Sequence, residues 1–468
     1  MEKLRGMGSD EIVDVNRAVD PQYEATTLLR KLELEGRNPM VVFHEAKNLK
    51  GGKAQIPLVI NTFASRKKIA VALDLPADQY KMEPALELSR RFGQLVKPEV
   101  VAKAAAPVKE VIQLGEEVDL FDYPVPTTHA LDGGPYIIGG TTVLKNPETG
   151  AYNLAMIRFH LKAGNRATIH AERHHHSGMI VKMHRDAGKE TPFCIVIGHH
   201  PTFYLGSLWE GPFGKNEYEI AGGAMQEAMR LVPSETLGED FLVPADAEMI
   251  IEGYVSVDEM DEEGPIGEHT RYYKTIQNGV VQKKHDPVVR FTAITRRKKA
   301  HFLSVFMGHA EHGLIGSIPK EAVIYEKAKA SCPGVTAVHL TPGGMCRYIC
   351  YVSLKQRLAG EAKDAIMAAF VSDWHIKFGV AVDEDVDIFN DQEVLWAIAL
   401  RTQPHRDFFT IQECMGSPLD PTVGLDGNRP LTSRMGIDAT KPFGLPFSEV
   451  CEVPLDLLQK IKIEDYLK

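Results

Sequence analysis

The apolar positions change their spacing along the chain, and each change marks a different kind of layer. Residues 20 to 36 carry apolar side chains at helical spacing, with Asp20 as a candidate N-cap, Pro21 in the first turn and Gly36 just past the end. Short apolar runs at 40–43 and 57–60 read as strands, and a second helix is predicted over about 84 to 95. These elements predict a small α/β opening unit, followed by a Val-, Ala-, Pro- and Lys-rich connector at 97–109. From about 110 to 310, β-rich runs recur between turn signals: 136–144, 152–161, 193–198, 249–255 and 288–294, with a turn at 146–150. Such a series predicts a barrel or a strongly bent sheet, interrupted by one helix at about 217 to 229. Beyond it the order is helix (319–331), strand (335–340), strand (347–354), helix (360–372), strand (377–382) and helix (391–401), which predicts an α/β layer. Residues 416–443 are rich in Gly, Pro and Asp with little periodicity, the texture of segments that are either disordered or functional.

One short stretch concentrates chemistry. In Glu263-Gly-Pro-Ile-Gly-Glu268 the backbone can continue neither a helix nor a central strand. It must turn sharply, so both carboxylates can face one pocket. Burial and repulsion raise the pKa of one acid in such a pair, while a cation can hold the other ionised. A candidate cation is Arg158, on the predicted strand after the 146–150 turn; an arginine there costs energy unless a carboxylate pairs with it. Asn153 and Arg158 would fall on opposite faces of a regular strand, so either a bulge intervenes or they serve adjoining sites.

The run from His170 to Gly178 includes three consecutive histidines but is not HExxH, because Ala171 stands where that motif needs Glu. These histidines are metal ligands or part of a solvated loop. Glu217 opens a predicted helix, where it either caps the helix electrostatically or joins Asn153 and a histidine in an oxygen/nitrogen set suited to Mg²⁺ or Mn²⁺. Arg271 is a candidate extra substrate anchor or a surface cation. Two signals are rejected. Residues 383–387 lack the later Gly and Glu of a calcium loop and read as a strand-end turn, and Gly343-Gly344 has no following Lys-Ser/Thr and is no phosphate loop.

Composition narrows the function classes. The 468 residues are 44% hydrophobic and 25% charged, ordinary globular values with room for two or three domains. A formal charge of -10 without a basic stripe argues against a general nucleic-acid binder. The first residues lack an apolar signal core and no run approaches the roughly 18 apolar residues of a membrane span, so no membrane span and a cytoplasmic location are expected. The six cysteines, Cys194, Cys332, Cys346, Cys350, Cys414 and Cys451, show no CxxC and read as reduced core thiols.

Several separated motifs now line up: Asn153-x4-Arg158, Glu217-Tyr-x-x-Ala-Gly222, Val243-Pro-Ala-x-Ala-Glu248-x3-Glu252-Gly253, Glu263-Gly-Pro-x-Gly-Glu268-His-Thr, Arg406-Asp407 and Ser433-Arg-Met-Gly-Ile-Asp-Ala-Thr440. In this order, over about 150 to 440, they resemble the UbiD family of decarboxylases, which includes 3-polyprenyl-4-hydroxybenzoate decarboxylase and ferulic acid decarboxylase. The resemblance implies an α+β / α/β protein: an N-terminal α/β unit (1–108), a flavin-reductase-like split β-barrel that binds prenylated FMN (109–312), a helical connector (313–334) and a C-terminal α/β oligomerisation domain with its tail (335–468). It implies reversible non-oxidative decarboxylation of an aromatic, heteroaromatic or α,β-unsaturated carboxylic acid through a flavin adduct, with loss of CO₂.

By motif position, Arg158 would bind the substrate carboxylate and pair with Glu263, and Glu268 would protonate the adduct. Asn153, His176 and Glu217 would hold Mn²⁺ (or Mg²⁺) against the flavin phosphate, with His174 and His175 as register alternatives and K⁺ as a further candidate ion. Asn153, Ile157, Arg158, His176, Glu217 and Arg434 would contact the cofactor; Arg434 stands where relatives often carry Lys, and Lys441 is an alternative. The resemblance also implies a separate flavin prenyltransferase as cofactor supplier and a homodimer or higher homo-oligomer. Other readings stay open: a catalytic-type subunit of a multi-subunit carboxylase, a non-catalytic flavin-binding scaffold, and a zinc hydrolase built on the histidine run.

Overall fold

Two long antiparallel strands, Met249–Glu263 and Lys284–Arg296, form the frame on which the rest is hung. The structure, a computed structural model, describes residues 1–468 other than 9, 173, 275–280, 282, 424–430 and 467–468. The first five residues of Met249–Glu263 are buried and its middle is exposed, so the strand leaves the core and returns to it at Glu263. Register shifts after Glu252 and between Val255 and Met260 bend the pair. Seven further strands join it in one sheet. Along the main path the order is Tyr136–Ile137, Phe159–Ala163, Arg166–Ile169, the long pair, Thr191–Ile197, Gly140–Lys145 and Tyr152–Met156, with Val111–Leu114 pairing alongside Lys284–Arg296. The end strands of this path do not pair with each other among the described residues. The expected alternatives of barrel and bent sheet therefore resolve to an open, bulged nine-stranded sheet in a mixed α/β fold.

Among the described residues three α-helices, not the single one expected, interrupt this region: His176–Asp186, Pro201–Gly206 and Glu217–Met225. The first escaped notice because a histidine run gives no apolar period; it buries Ile180 and Val181 and packs against Thr191–Ile197 and Tyr152–Met156. The third stops at Met225, short of the expected 229, because Gln226 takes a left-handed conformation (φ 61°) that caps it.

The N-terminal sheet runs Ile12–Val19, Met40–Ala46, Leu58–Ile60, Phe302–Leu303, so its last strand comes from the far side of the central region. A short helix at Glu2–Arg5 precedes the expected one, which begins at Glu24 rather than near Asp20, because Gln22 bridges to Thr127 and pulls that backbone out of the helix. Ala310–Ser331 is one helix with Pro319 inside it, where the sequence suggested that Pro319 would open it. The C-terminal sheet runs Val335–Leu340, Ile349–Leu354, Phe378–Asp383, Leu431–Asp438, Phe408–Met415. The stretch at 416–443 that lacked periodicity contains one of these strands, Leu431–Asp438, and is preceded by another, Phe408–Met415. Phe408–Met415 is an edge strand with no fully buried residue, so it shows no alternation; residues 424–430 of that stretch lie outside the described residues. The strand Phe378–Asp383 ends in the turn expected at 383–387.

Four cysteines are buried, Cys414 is half-buried and Cys451 exposed, so the core-thiol reading holds for four of six. Among the described residues, no helix is long and apolar enough to cross a membrane.

Candidate active site

A cavity of about 620 Å³ opens where the central sheet, the helix Ala310–Ser331 and the C-terminal layer meet. Asn153 and Arg158 both line it. The strand that carries Asn153 stops at Met156 and a new one starts at Phe159, so Ile157 and Arg158 lie in a break between strands rather than on a bulge. That break lets both polar side chains reach one cavity.

Arg158 is held between the two glutamates. Its Nε donates to Glu263 Oε1 at 2.9 Å and its Nη2 to Oε2 at 3.4 Å, while Nη1 donates to Glu268 Oε1 at 2.9 Å. Glu263 is 1% exposed and does not line the cavity; it sits behind Arg158. Tyr136 donates to its Oε1 at 3.4 Å, and Lys284 Nζ lies 3.9 Å from Oε2. Burial would raise the Glu263 pKa, but Arg158 and then Lys284 outweigh it and keep the carboxyl below its ordinary value. Burial likewise works against the charge on Arg158, and the two glutamates reverse that, raising its pKa. Glu268 does line the cavity, and its Oε2 makes no hydrogen bond among the described residues.

The turn between the glutamates is pinned from outside. Gly264, at φ 94°, donates its N–H to the Tyr136 hydroxyl at 3.1 Å; Gly133 N–H reaches the Pro265 carbonyl at 2.8 Å. The buried Asp132 accepts from Gly267 N–H at 2.8 Å and also from Thr128 and His129. None of Asp132, Tyr136 and Lys284 was singled out from sequence. Only Asp132-Gly-Gly134 left a local trace, a turn signal.

At another part of the wall, Glu217 opens its helix and accepts Asn153 Nδ2 at 2.8 Å on one oxygen and Leu154 N–H at 2.6 Å on the other. His176 Nδ1 lies 3.6 Å from Glu217 Oε1; of the three consecutive histidines it is the one within 4 Å of that carboxylate, although His174 and His175 also line the cavity. Asn153 Oδ1 is buried and has no partner among the described residues. An unpaired amide oxygen beside a carboxylate and an imidazole is the donor set a hard divalent cation would satisfy.

His170, Glu263 and Asp286 also converge, but the Lys284 ammonium contacts His170 and lies 3.5 Å from Asp286, so a cation already occupies that corner.

The remaining expected residues lie elsewhere. Arg434 does not line the cavity: its guanidinium is buried against the carbonyls of Phe370 and Trp374 and over the Phe370 ring, committed to the C-terminal layer. Lys441 pairs with Asp385, and Arg406 pairs with Asp407. Arg271 lines a separate cavity of about 340 Å³ with His129, Phe306 and His309. His269, which follows Glu268 in the motif but was given no role, lines the main cavity, and so do His312, Arg347, Trp209 and Trp374, which sequence reasoning passed over.

The chain matches three family models of 3-octaprenyl-4-hydroxybenzoate carboxy-lyase in order: the UbiD N-terminal domain (7–82), the Rift-related domain (99–310) and the C-terminal domain (313–439). It is 32% identical over 435 residues to anhydromevalonate phosphate decarboxylase of Methanosarcina mazei, covering 92% of this chain and 93% of that one, and 29% identical to the enzyme of the same name from Methanothermobacter thermautotrophicus, covering 92% and 95%. Among solved structures it superposes on the UbiD-class enzyme HmfF from Pelotomaculum thermopropionicum in complex with FMN, with a TM-score of 0.89, 34% identity and coverage of 100% and 98%. An evolved dimeric form of HmfF in complex with prFMN gives a TM-score of 0.86 at 33% identity, with coverage of 100% and 98%. Matched along all three of its regions and over its whole length, the chain belongs to the UbiD family of decarboxylases.

Proposed function

We propose that this chain catalyses reversible, non-oxidative decarboxylation of an α,β-unsaturated or aromatic carboxylic acid with prenylated FMN bound in the main cavity. The observation that carries the reading is one buried arginine shared between a sequestered carboxylate and a carboxylate that faces the cavity. Glu263 stays ionised and fixes Arg158 from behind. Arg158 then has a guanidinium edge to offer the substrate carboxylate, in competition with the single bond it gives Glu268. A substrate that takes this bond releases Glu268; the freed carboxylate takes up a proton from solvent and delivers it to the carbon that has lost CO₂. Prenylated FMN, when bound, supplies the electron sink that permits that loss. Ile138, Met156, Ile157, Val305 and Met307 line the same space and keep water away from the reacting carbon.

Asn153, His176 and Glu217 would hold Mn²⁺ or Mg²⁺, whose charge would fix the flavin phosphate. The open nine-stranded sheet would correspond to the split barrel of the family, and the chain would work as a homo-oligomer with its cofactor made by a separate flavin prenyltransferase. Anhydromevalonate phosphate, named in two relatives, is the first acid to try.

The test is deuterium exchange into a panel of unsaturated and aromatic acids by protein co-produced with a flavin prenyltransferase. Glu268→Gln is expected to lower exchange by about 10² to 10⁴ while flavin and fold are kept. Unchanged exchange in that variant, or a purified chain that holds flavin and never turns over, would move the protein to the scaffold or subunit readings.

A further inference from the structure

Two arginines line the main cavity, and their surroundings differ. Arg158 has two glutamates. Arg347, which enters from the C-terminal layer, has no carboxylate within 4 Å among the described residues; the one hydrogen bond of its guanidinium among them runs from Nη1 to the Cys346 carbonyl at 3.1 Å. The nearby acids are engaged elsewhere: Asp373 by the Lys320 ammonium at 2.7 Å and the His375 ring at 2.8 Å, and Glu210 by Lys320 at 3.0 Å. The neighbouring helix is cut away for this guanidinium. A Cβ added at Gly316 would lie 2.1 Å from Arg347 Nη2, so the arginine rests directly on the helix backbone where any other residue would displace it.

His269, His312 and Trp374 line the cavity beside it. His312 Nδ1 accepts the Gly308 N–H at 3.4 Å, which places its proton on Nε2 as a free donor. A half-buried guanidinium that faces a cavity without a counter-ion is free to pair, and its planar fork suits a carboxylate or phosphate.

We propose that Arg347, with His269 and His312, is a second anion subsite, and that this chain takes acids bearing a phosphate or second carboxylate in addition to the carboxylate that leaves. The proposal rests on the decarboxylase reading for the role of Arg158 alone.

The test uses the holoenzyme loaded with prenylated FMN and Mn²⁺, titrated calorimetrically with non-reacting, saturated matched pairs: 5-hydroxy-3-methylpentanoate against its 5-phosphate, and cyclohexanecarboxylate against its 1,4-dicarboxylate. In at least one pair the dianion is expected to bind about ten- to a hundredfold more tightly. Arg347→Gln should bring that pair to within about twofold and leave the monoanion unchanged, whereas Arg158→Gln should weaken both. Gly316→Val, which keeps the arginine but takes its seat, should show the same selective loss with a normal melting temperature. The proposal is overturned if the dianion has no advantage in either pair, if Arg347→Gln weakens both members equally, or if that variant sheds the flavin, which would assign the arginine to the cofactor. Exchange that fails in wild-type enzyme while the Arg347-dependent preference persists would count against the decarboxylase reading alone.

Discussion

Arg158 sits at the balance point of the site. Two buried carboxylates flank one guanidinium, and removing the cation leaves both acids without their partner. Breaking a buried ion pair from one side costs about 3–5 kcal/mol, and here the cost depends on pH. In the wild type the Glu263 pKa is depressed, so its contribution to stability is present above the ordinary carboxyl range and is lost as pH falls. In Arg158→Gln burial acts without that cation, pushing the acid's pKa up, so the variant gains stability as pH falls. Both effects have the same direction. The urea midpoint of Arg158→Gln should lie well below wild type at pH 8, and the gap should narrow steadily towards pH 5; a gap independent of pH would show that the arginine's packing, not its charge, is what Glu263 needs. At this scale the sequence was informative where partners are close along the chain. Glu263 and Glu268 share a turn forced by Gly264 and Pro265, which can be read locally. Tyr136, Asp132 and Lys284 reach the same turn from separate segments, and no local pattern announces that.

At the scale of elements, the site depends on where strands stop. The interruption at Ile157 and Arg158 and the start of the helix at Glu217 bring Asn153, Arg158, His176 and Glu217 to one cavity. Periodicity could show that Asn153 and Arg158 do not share a face of a regular strand, but not that the strand ends between them. Arg434 illustrates the opposite failure. Its motif was legible, yet the strand Leu431–Asp438 turns its guanidinium towards Phe370 and Trp374, a packing choice made by the C-terminal layer. The turn carrying Glu268 is also set by another element, through Asp132. Asp132→Ala leaves the N–H groups of Gly267, Thr128 and His129 without their acceptor, each costing about 1–3 kcal/mol where buried. The turn should then loosen, and an ångström of misplacement at the proton donor is worth about 10² in rate. Expected are a lower melting temperature and deuterium exchange reduced about a hundredfold, with flavin and metal content unchanged. Exchange at the wild-type rate would show that the Tyr136 and Gly133 contacts suffice.

For the whole molecule, the boundaries legible in sequence conceal how the regions are tied together. The N-terminal sheet takes Phe302–Leu303 as its last strand, and a run of two residues is too short to show any period. Immediately beyond it Glu311, fully buried in the first turn of Ala310–Ser331, accepts the backbone N–H groups of Asn61 at 2.9 Å, Phe63 at 3.2 Å and Phe306 at 3.3 Å. One carboxyl group thus clamps the N-terminal unit, the returning chain and the long helix that forms one wall of the cavity. Burial pushes its pKa up to about 7, against the lowering effect of those three donors. Between the ordinary carboxyl pKa of 4.5 and that value the unfolded chain releases a proton that the folded one keeps. Stability from this group is therefore full below pH 4.5 and is lost as pH rises to about 7, by on the order of 3 kcal/mol. Glu311→Gln removes the titration while keeping one acceptor oxygen. The difference in unfolding free energy, wild type minus variant, should fall as pH is raised from 5 to 7.5 and level off above that. A difference that stays flat would mean that the three backbone donors hold Glu311 ionised throughout, making the clamp a charge-assisted one. A difference that is flat over this range and instead rises with pH below 4.5 would reverse the sign of its pKa shift and make the junction loosest in acid.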